Sequence, residues 1–496
     1  MSQSGDGRPV QLCSRGVLEG ALRRLAGKRV TLMGLGTFGG GTGAASFLAG
    51  QGAHLTVTDL RPAEKLQDSL AALEGLPITY HLSGHRPEDF TAADLVLASP
   101  AVPRTSAYLQ MAEAAGVPIA SPMNAFLTLC PAPIAAVTGS NGKSTTTALL
   151  ARMLQGPYPR AWLGGNIGIC LLCSLPLIRP QDVVVLELSS FQLEDAEALQ
   201  WSPHAAVVTN ITPNHLDRHG TMDAYEAAKR CIVRHQTAAD YAILNAADPL
   251  LARWVRQGLA GQVVLYDARR RGAAQGDGVS VVGDCLVWRE GNRDEVVCRA
   301  TELALPGRHN MENALAAGVA ARCLGARPAN LRDALHTFSG LEHRLELVGE
   351  FGGIRFYNDS FSTTPESTIA ALQSFQEPLT LVVGGYDKKL DLMPIARAAA
   401  RCAEVVVTIG QTGPALARRT LQEGVCLGHS MTVREVRTLE EAVREAAHYS
   451  MPGSCVLFSP GCASYDMFDN CVQRGELFRR AVLDIVGTNR ALSRPA

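Results

Sequence analysis

Apolar positions cluster into short runs that end in glycine or a small polar residue, and each run leads into a longer segment with helix-like spacing. That rhythm predicts β-α units of a parallel sheet. It repeats in three blocks. KRVTLMGLG, AHLTVTDL and ADLVLASP read as strands of the first. The second has APIAAVTGS, DVVVLELSS, HAAVVTNIT and YAILN, with a more irregular polar stretch around residues 260 to 300 that reads as an antiparallel appendage. GIRFYNDS, LTLVVGG, EVVVTIG and SCVLFSPG make the third, separated by Ala- and Arg-rich helical segments such as MPIARAAARCA. The expected fold class is α/β, with domains 1–130, 131–340 and 341–496; LCPAP is the linker at the first boundary and FSGLEHR marks the second.

At 496 residues the chain has room for about three domains of ordinary size. With 47% hydrophobic and 19% charged residues it reads as a soluble globular protein. The net charge of -1 and the lack of a Lys or Arg block argue against broad attraction to nucleic acid or membrane, so an anionic ligand must be held locally. Thirteen scattered cysteines and an N-terminus without an apolar signal segment point to a reducing cytoplasm. Cys170 and Cys173 form a C-x-x-C inside an apolar run; without a second ligand pair it reads as packing rather than zinc.

Two glycine loops carry the chemistry. GLGTFGGG places Gly34, Gly36 and Gly39 in G-x-G-x-x-G spacing after a strand, with Thr37 and Phe38 between the last two, and Asp59 closes the next strand. Such glycines let backbone approach a pyrophosphate at a helix N-terminus while the acid takes ribose hydroxyls. A nicotinamide or flavin dinucleotide and another nucleotide diphosphate fit equally, since the loop recognises only phosphate and sugar. The second loop, VTGSNGKSTTTALL, ends a strand at Gly139. Amides of Ser140, Asn141 and Gly142 can surround phosphate oxygens, Lys143 can reach a transferring phosphate, and Ser144 or Thr145 can ligate magnesium. Val137 stands where the strict phosphate-loop pattern has its first glycine, so a shorter loop is implied.

GSNGKST, GGNIG at Gly164 to Gly168, ELSSFQLE at Glu187 to Glu194, NITPNHLDRHG at Asn210 to Gly220 and GRHNMENALAA from Gly307 resemble, in order, the motifs of the Mur ligase family. SSFQLE and the C-terminal SPGCASYDMF are most similar to its D-glutamate-adding branch. The resemblance covers all three blocks and implies a Rossmann-like N-terminal domain for a UDP-sugar, a P-loop ATPase-like central domain and a Rossmann-like C-terminal domain for the amino acid. The substrates it implies are ATP, UDP-N-acetylmuramoyl-L-alanine and glutamate, joined through an acyl phosphate in cytoplasmic peptidoglycan precursor synthesis by a monomer. The first glycine loop would then cradle uridine diphosphate, with Asp59, Arg61 and Asn166 contacting the sugar nucleotide.

The same resemblance assigns further residues. Glu187, ending an apolar strand where a lone carboxylate is costly, becomes a magnesium ligand, His215 a ligand of a second metal, and Lys229 the lysine that carbon dioxide carbamylates into an anionic ligand. Such a reaction needs a neutral amine, which a desolvated or cation-rich site favours. Asn310, Asn313, Arg344 and Asp359 match positions around ATP; Lys388, Thr363 and Ser464 match contacts to the added glutamate. Taken one at a time, Lys229 and Lys388 read equally as surface lysines, and the asparagines as caps or turns.

Three positions depart from the pattern. Phe361 stands where a lysine is common, Cys471 where an aromatic packs beside the glutamate, and Leu60 where a small hydroxyl residue lies. They leave the reaction class intact and keep L-glutamate or another acceptor open. An NAD-dependent oxidoreductase would use Gly34 to Asp59 but leave GSNGKST idle.

Overall fold

The computed structural model describes residues 8–36, 40–167, 170–268, 277–303, 308–338, 340–375, 377–387, 391–429 and 431–492. Runs such as IAAVT and VVVLE lack polar alternation because they lie at the centre of a sheet covered on both faces, and every residue in them is buried. β1 (Arg29–Met33), β2 (His54–Asp59), β3 (Ile78–Leu82), β4 (Leu95–Ala98) and β5 (Ile119–Ala120) form an all-parallel sheet in the order β3-β2-β1-β4-β5. β6 (Ile134–Thr138), β7 (Ala161–Gly165), β8 (Val183–Glu187), β9 (Ala205–Val208), β10 (Tyr241–Asn245) and β11 (Gln262–Tyr266) form a second, ordered β11-β10-β9-β6-β8-β7. It too is all parallel.

Gln262–Tyr266 is not part of an antiparallel appendage but the edge strand of the parallel sheet, paired with β10. Its half-exposed pattern is that of an edge, which weakens its apolar signal. The appendage itself comprises β12 (Gly278–Val282), β13 (Cys285–Glu290) and β14 (Arg293–Arg299) in that order. Two-residue links turn each strand back on the last, and Gly283 and Gly291 take the positive φ (64° and 58°) that such tight hairpins require.

β15 (Glu346–Phe351), β16 (Ile354–Asn358), β17 (Leu379–Val383), β18 (Val405–Thr408), β19 (Thr432–Glu435) and β20 (Cys455–Phe458) make the last sheet, ordered β15-β16-β20-β17-β18-β19. Only the β15–β16 pair is antiparallel.

The chain divides into two compact units. One comprises Met1–Ser280, Trp288–Arg293 and Leu315–Leu331; the other comprises Val281–Val287, Asp294–Ala314 and Arg332–Ala496. A continuous apolar core in the first unit includes Leu32, Leu55 and Leu97 of the first sheet and Leu186, Leu244 and Trp254 at the second. In the other unit, Leu381, Val406 and Leu457 pack with the helices Met393–Cys402 and Gly413–Cys426, while their neighbours Val382, Val407 and Val456 pack with Leu439–Tyr449 and Cys471–Leu492. Alternate residues of a strand point to opposite faces, so one strand feeds two cores. Each such buried aliphatic side chain contributes roughly 1.5–3 kcal/mol. Cys170 and Cys173 lie against the helix Gly40–Gly50, where a Cβ on Gly43 would come 2.5 Å from Cys170 Cβ. No helix among the described residues is long and apolar enough to cross a membrane.

Candidate active site

In the first sheet the chain leaves β1 towards β2 on one side and returns to β4 on the other, and the crevice beyond their carboxyl ends is where open α/β sheets bind ligands. Gly34 lies there at φ 89°, and a Cβ on it would stand 3.0 Å from Ser99 Cβ in the loop after β4. The Gly36 N–H donates to Asp59 Oδ2 at 3.2 Å. Asp59 Oδ1 accepts from the Arg61 N–H at 2.9 Å and the Arg61 guanidinium at 3.3 Å. Burial pushes the Asp59 carboxyl up, but the two N–H bonds and the Arg61 charge outweigh it and hold the group below its ordinary value. Gly36, Asp59 and Arg61 are therefore joined by hydrogen bonds. The sequence reading missed Gly41: a Cβ there would lie 1.8 Å from the Leu35 carbonyl oxygen, so this glycine lets the helix start against the loop. Thr37, Phe38 and Gly39 lie outside the described residues.

The second loop follows β6, again where the sheet order reverses, and leads into the helix Lys143–Met153. It is latched by the segment after β9. Ser140 N–H donates to the Asn210 carbonyl at 2.8 Å, Asn141 N–H to Asn210 Oδ1 at 2.9 Å, and Thr209 Oγ1 to the Asn141 carbonyl at 2.6 Å. Ser140 Oγ lies 3.0 Å from the Tyr225 hydroxyl. Gly139 has no room for a side chain, since a Cβ would fall 1.9 Å from Thr209 Oγ1. Gly142, at φ 81°, makes the left-handed turn into the helix, and Lys143 Nζ donates to the Ser140 carbonyl at 2.8 Å. Thr209, Asn210 and Tyr225 were not singled out from sequence; the NIT that opens the fourth motif was the available signal.

Beside this loop the structure assembles residues far apart in sequence. Glu187, the last residue of β8, is 1% exposed. Its Oε2 accepts a very short hydrogen bond from Ser144 Oγ, and its Oε1 accepts from Asn166 Nδ2 at 2.9 Å. Asn166 N–H also donates to the Glu187 carbonyl at 2.9 Å. Lys229, on the helix Met222–Arg234, is 2% exposed, and its Nζ donates to the Gly139 carbonyl at 2.8 Å and Thr138 Oγ1 at 3.4 Å. Burial, and then Lys143, push its pKa well below the ordinary lysine value, with Glu187 opposing. The bland reading of Lys229 as a solvated surface lysine is thereby excluded.

His215 takes a left-handed conformation at φ 53°, and its ring meets Phe191 edge-on at 5.2 Å. Phe191 also stacks on His219 at 5.0 Å and lies 3.9 Å beneath the Arg218 guanidinium. Phe191, in SSFQLE, thus organises the histidine motif, a role that sequence alone did not suggest. The buried Glu187 carboxylate joined to the Ser144 hydroxyl is a hard, all-oxygen donor pair that suits Mg2+. The buried, low-pKa Lys229 likewise suits a reaction that needs a neutral amine.

In the other unit, Asp359 follows β16 and is buried against the loop after β20. It accepts from Ser459 Oγ at 2.7 Å, Ser362 Oγ at 2.5 Å and the Leu345 N–H at 3.2 Å. Burial pushes its carboxyl up to about 6, against these bonds and the Arg344 charge. The Arg344 guanidinium lies 5.3 Å from the Phe361 ring, so the residue that replaces a lysine offers a π face to that cation. Ser464 is buried at a turn, its carbonyl accepting from the Phe468 N–H at 2.9 Å. Thr363 is half-buried, and the Cys471 carbonyl accepts from Ser360 Oγ at 2.7 Å. Asn313 Nδ2 donates to Asn310 Oδ1 at 3.2 Å on the helix Arg308–Cys323. Lys388 lies outside the described residues.

Glycine loops at the reversal points of two parallel sheets, one joined to a lysine, hydroxyls and a buried glutamate, define an α/β enzyme that handles nucleotide phosphates. Residues 28–121 match the Mur ligase MurD-like N-terminal domain, 137–321 the Mur ligase middle domain and 343–462 the Mur ligase glutamate ligase domain. The chain belongs to the Mur ligase family of ATP-dependent, amide-bond-forming ligases. It is 46% identical over 465 residues to the UDP-N-acetylmuramoylalanine–D-glutamate ligase of Roseiflexus sp. (strain RS-1), covering 92% of this chain and 99% of the relative. The enzyme of the same name from Pelotomaculum thermopropionicum is 37% identical over 464 residues, with 94% and 99% covered. Among solved structures, MurF from Acinetobacter baumannii superposes with a TM-score of 0.57 at 17% identity, covering 95% of this chain and 100% of that one. MurF ligase from Thermotoga maritima in complex with ADP gives 0.55 at 15% identity, covering 93% and 96%. At such identities the likeness is one of fold.

Proposed function

We propose that the protein joins D-glutamate to UDP-N-acetylmuramoyl-L-alanine at the expense of ATP, as a cytoplasmic step of peptidoglycan precursor synthesis. The observation that carries this reading is the convergence of Lys143, Ser144, Glu187 and Lys229 at one phosphate loop, in a chain whose relatives bear that enzyme's name over nearly their whole length. Residues 1–130 hold the sugar nucleotide through Gly34, Gly36, Thr37, Phe38, Gly39, Asp59 and Arg61, with Asn166 contributing from the central domain. Residues 131–340 hold ATP on the loop Gly139 to Thr145; Asn310 and Asn313 match family positions that contact ATP. In residues 341–496, Arg344 and Asp359 match family positions that contact ATP, and Thr363, Lys388 and Ser464 match positions that contact glutamate.

Joining a carboxylate to an amine in water requires a better leaving group than oxide. A carboxylate oxygen of the alanyl substrate attacks the γ-phosphorus of ATP and ADP departs. The glutamate nitrogen then attacks the acyl carbon, losing a proton as phosphate leaves with its oxygen. Lys143 and the loop amides offset the repulsion between the two anions. Bound magnesium would screen the remaining phosphate charge, held by Ser144, Glu187, His215 and a carbamylated Lys229. Addition of carbon dioxide to the neutral amine of Lys229 forms an N–C bond, and loss of one proton from Nζ leaves an anionic carbamate; the depressed pKa, which favours the neutral amine, supports that step.

The test is phosphate release with UDP-N-acetylmuramoyl-L-alanine, ATP and a panel of D- and L-amino acids. D-glutamate is expected to give the fastest turnover with one amide formed per phosphate. Turnover by L-glutamate alone would move the assignment of the acceptor, and no ATP hydrolysis with any amine would overturn the reading.

A further inference from the structure

We propose that Cys285, Cys298, Glu302 and His336 form a structural zinc site that pins the β13–β14 hairpin to the helix Pro328–Thr337. Ligand atoms of Cys298, Glu302 and His336 lie within 4.8 Å of one another. His336 Nε2 stands 3.6 Å from Glu302 Oε2, about the edge of a tetrahedron whose zinc bonds are roughly 2.0–2.3 Å long. Cys298 is 1% exposed, so a buried thiol meets a surface carboxylate and imidazole.

The hairpin provides the fourth ligand. β13 ends at Glu290 and β14 begins at Arg293, linked only by Gly291 and Asn292. The Ala300 N–H donates to the Asp284 carbonyl at 2.8 Å, which brings the start of β13, with Cys285, beside the end of β14, with Cys298. Cys285 and Cys298 each sense the Glu302 carboxylate, and Cys298 senses Cys285 as well. Burial, then Glu302 and Cys285, push the Cys298 thiol up to about 11. Without metal both thiols keep their protons in weak contacts, Cys285 with Asp284 Oδ1 at 3.3 Å and Cys298 with the Arg299 carbonyl at 3.3 Å. Zinc displaces both protons and takes two thiolates, an imidazole and a carboxylate, a closed set with no open position for a substrate. Thiolate ligands select zinc over magnesium, so this site is chemically separate from the one at Glu187.

The full-length protein, stripped with a chelator, is dialysed against zinc or cobalt salt in excess magnesium. One zinc per chain is expected to remain, and the cobalt form is expected to show thiolate-to-cobalt charge-transfer absorption. Both signals disappear in Cys298→Ser and in His336→Gln. The latter changes an exposed side chain, so it keeps the fold and the basal ligase activity. Less than one zinc per chain, equal retention in the two variants, or cobalt absorption without the thiolate band overturns the proposal. So does a mass lower by two hydrogens, the mark of a Cys285–Cys298 disulfide in place of the metal.

Discussion

Lys229→Met separates what the buried lysine does for the fold from what it does for the reaction. Methionine keeps an unbranched chain of similar volume in the same slot. The variant loses the hydrogen bonds to the Gly139 carbonyl at 2.8 Å and to Thr138 Oγ1 at 3.4 Å. Leaving that carbonyl without a donor costs about 1–3 kcal/mol. Against this, a side chain only 2% exposed no longer buries an amine whose charged form the fold opposes, which offsets part of that loss. The unfolding midpoint is therefore expected to stay within a few degrees of wild type. Activity has no such offset, because methionine has no amine to form the carbamate. Loss of the anionic metal ligand proposed for Lys229 predicts a fall of about 100- to 1000-fold in kcat. The assay is phosphate release with UDP-N-acetylmuramoyl-L-alanine and D-glutamate, beside thermal unfolding of the same preparation. A kcat within about threefold of wild type, or an activity loss that merely follows a large loss of stability, would refute the reasoning.

Three further outcomes follow from the geometry. Asp359 has its pKa raised from 3.8 to about 6; the folded state therefore binds the extra proton between those values, and wild type loses about 3 kcal/mol relative to Asp359→Asn as pH rises through that window. Urea unfolding of both proteins at pH 4.5 and 7 checks this, and a gap that widens in the opposite direction refutes it. Asp59→Ala frees the Gly36 and Arg61 N–H groups and should raise KM for the sugar nucleotide roughly 10- to 100-fold with kcat little changed, as initial-rate kinetics will show. Gly139→Ala drives a Cβ to 1.9 Å from Thr209 Oγ1 and breaks the latch to Asn141; ATP turnover is expected to fall at least about tenfold, and unchanged kcat/KM for ATP would count against the latch.

Much of the fold was legible because it is written locally. Unbroken apolar runs such as VVVLE announce central parallel strands, and GSNGKST keeps its glycines, lysine and hydroxyls within one turn of chain, so spacing alone predicts a phosphate loop. Edge strands were less visible: QVVLY is exposed along much of its length and was absorbed into the polar stretch that follows. Glu187 could be suspected from sequence, since a carboxylate ending an apolar strand needs a partner. Lys229 could not. Its helix presents several Lys and Arg residues, and only packing against β6 decides which of them loses water; desolvation, a property of the assembled interior, then lowers its pKa. Phe361 meeting the Arg344 guanidinium, Asn210 gripping the phosphate loop and a thiol of β14 meeting His336 likewise depend on contacts between distant segments. The sequence by itself determined the order of strands, loops and chemical groups along the chain. Tertiary structure alone decided which groups share a dry, low-dielectric neighbourhood, because burial and charge proximity arise only when remote segments pack together.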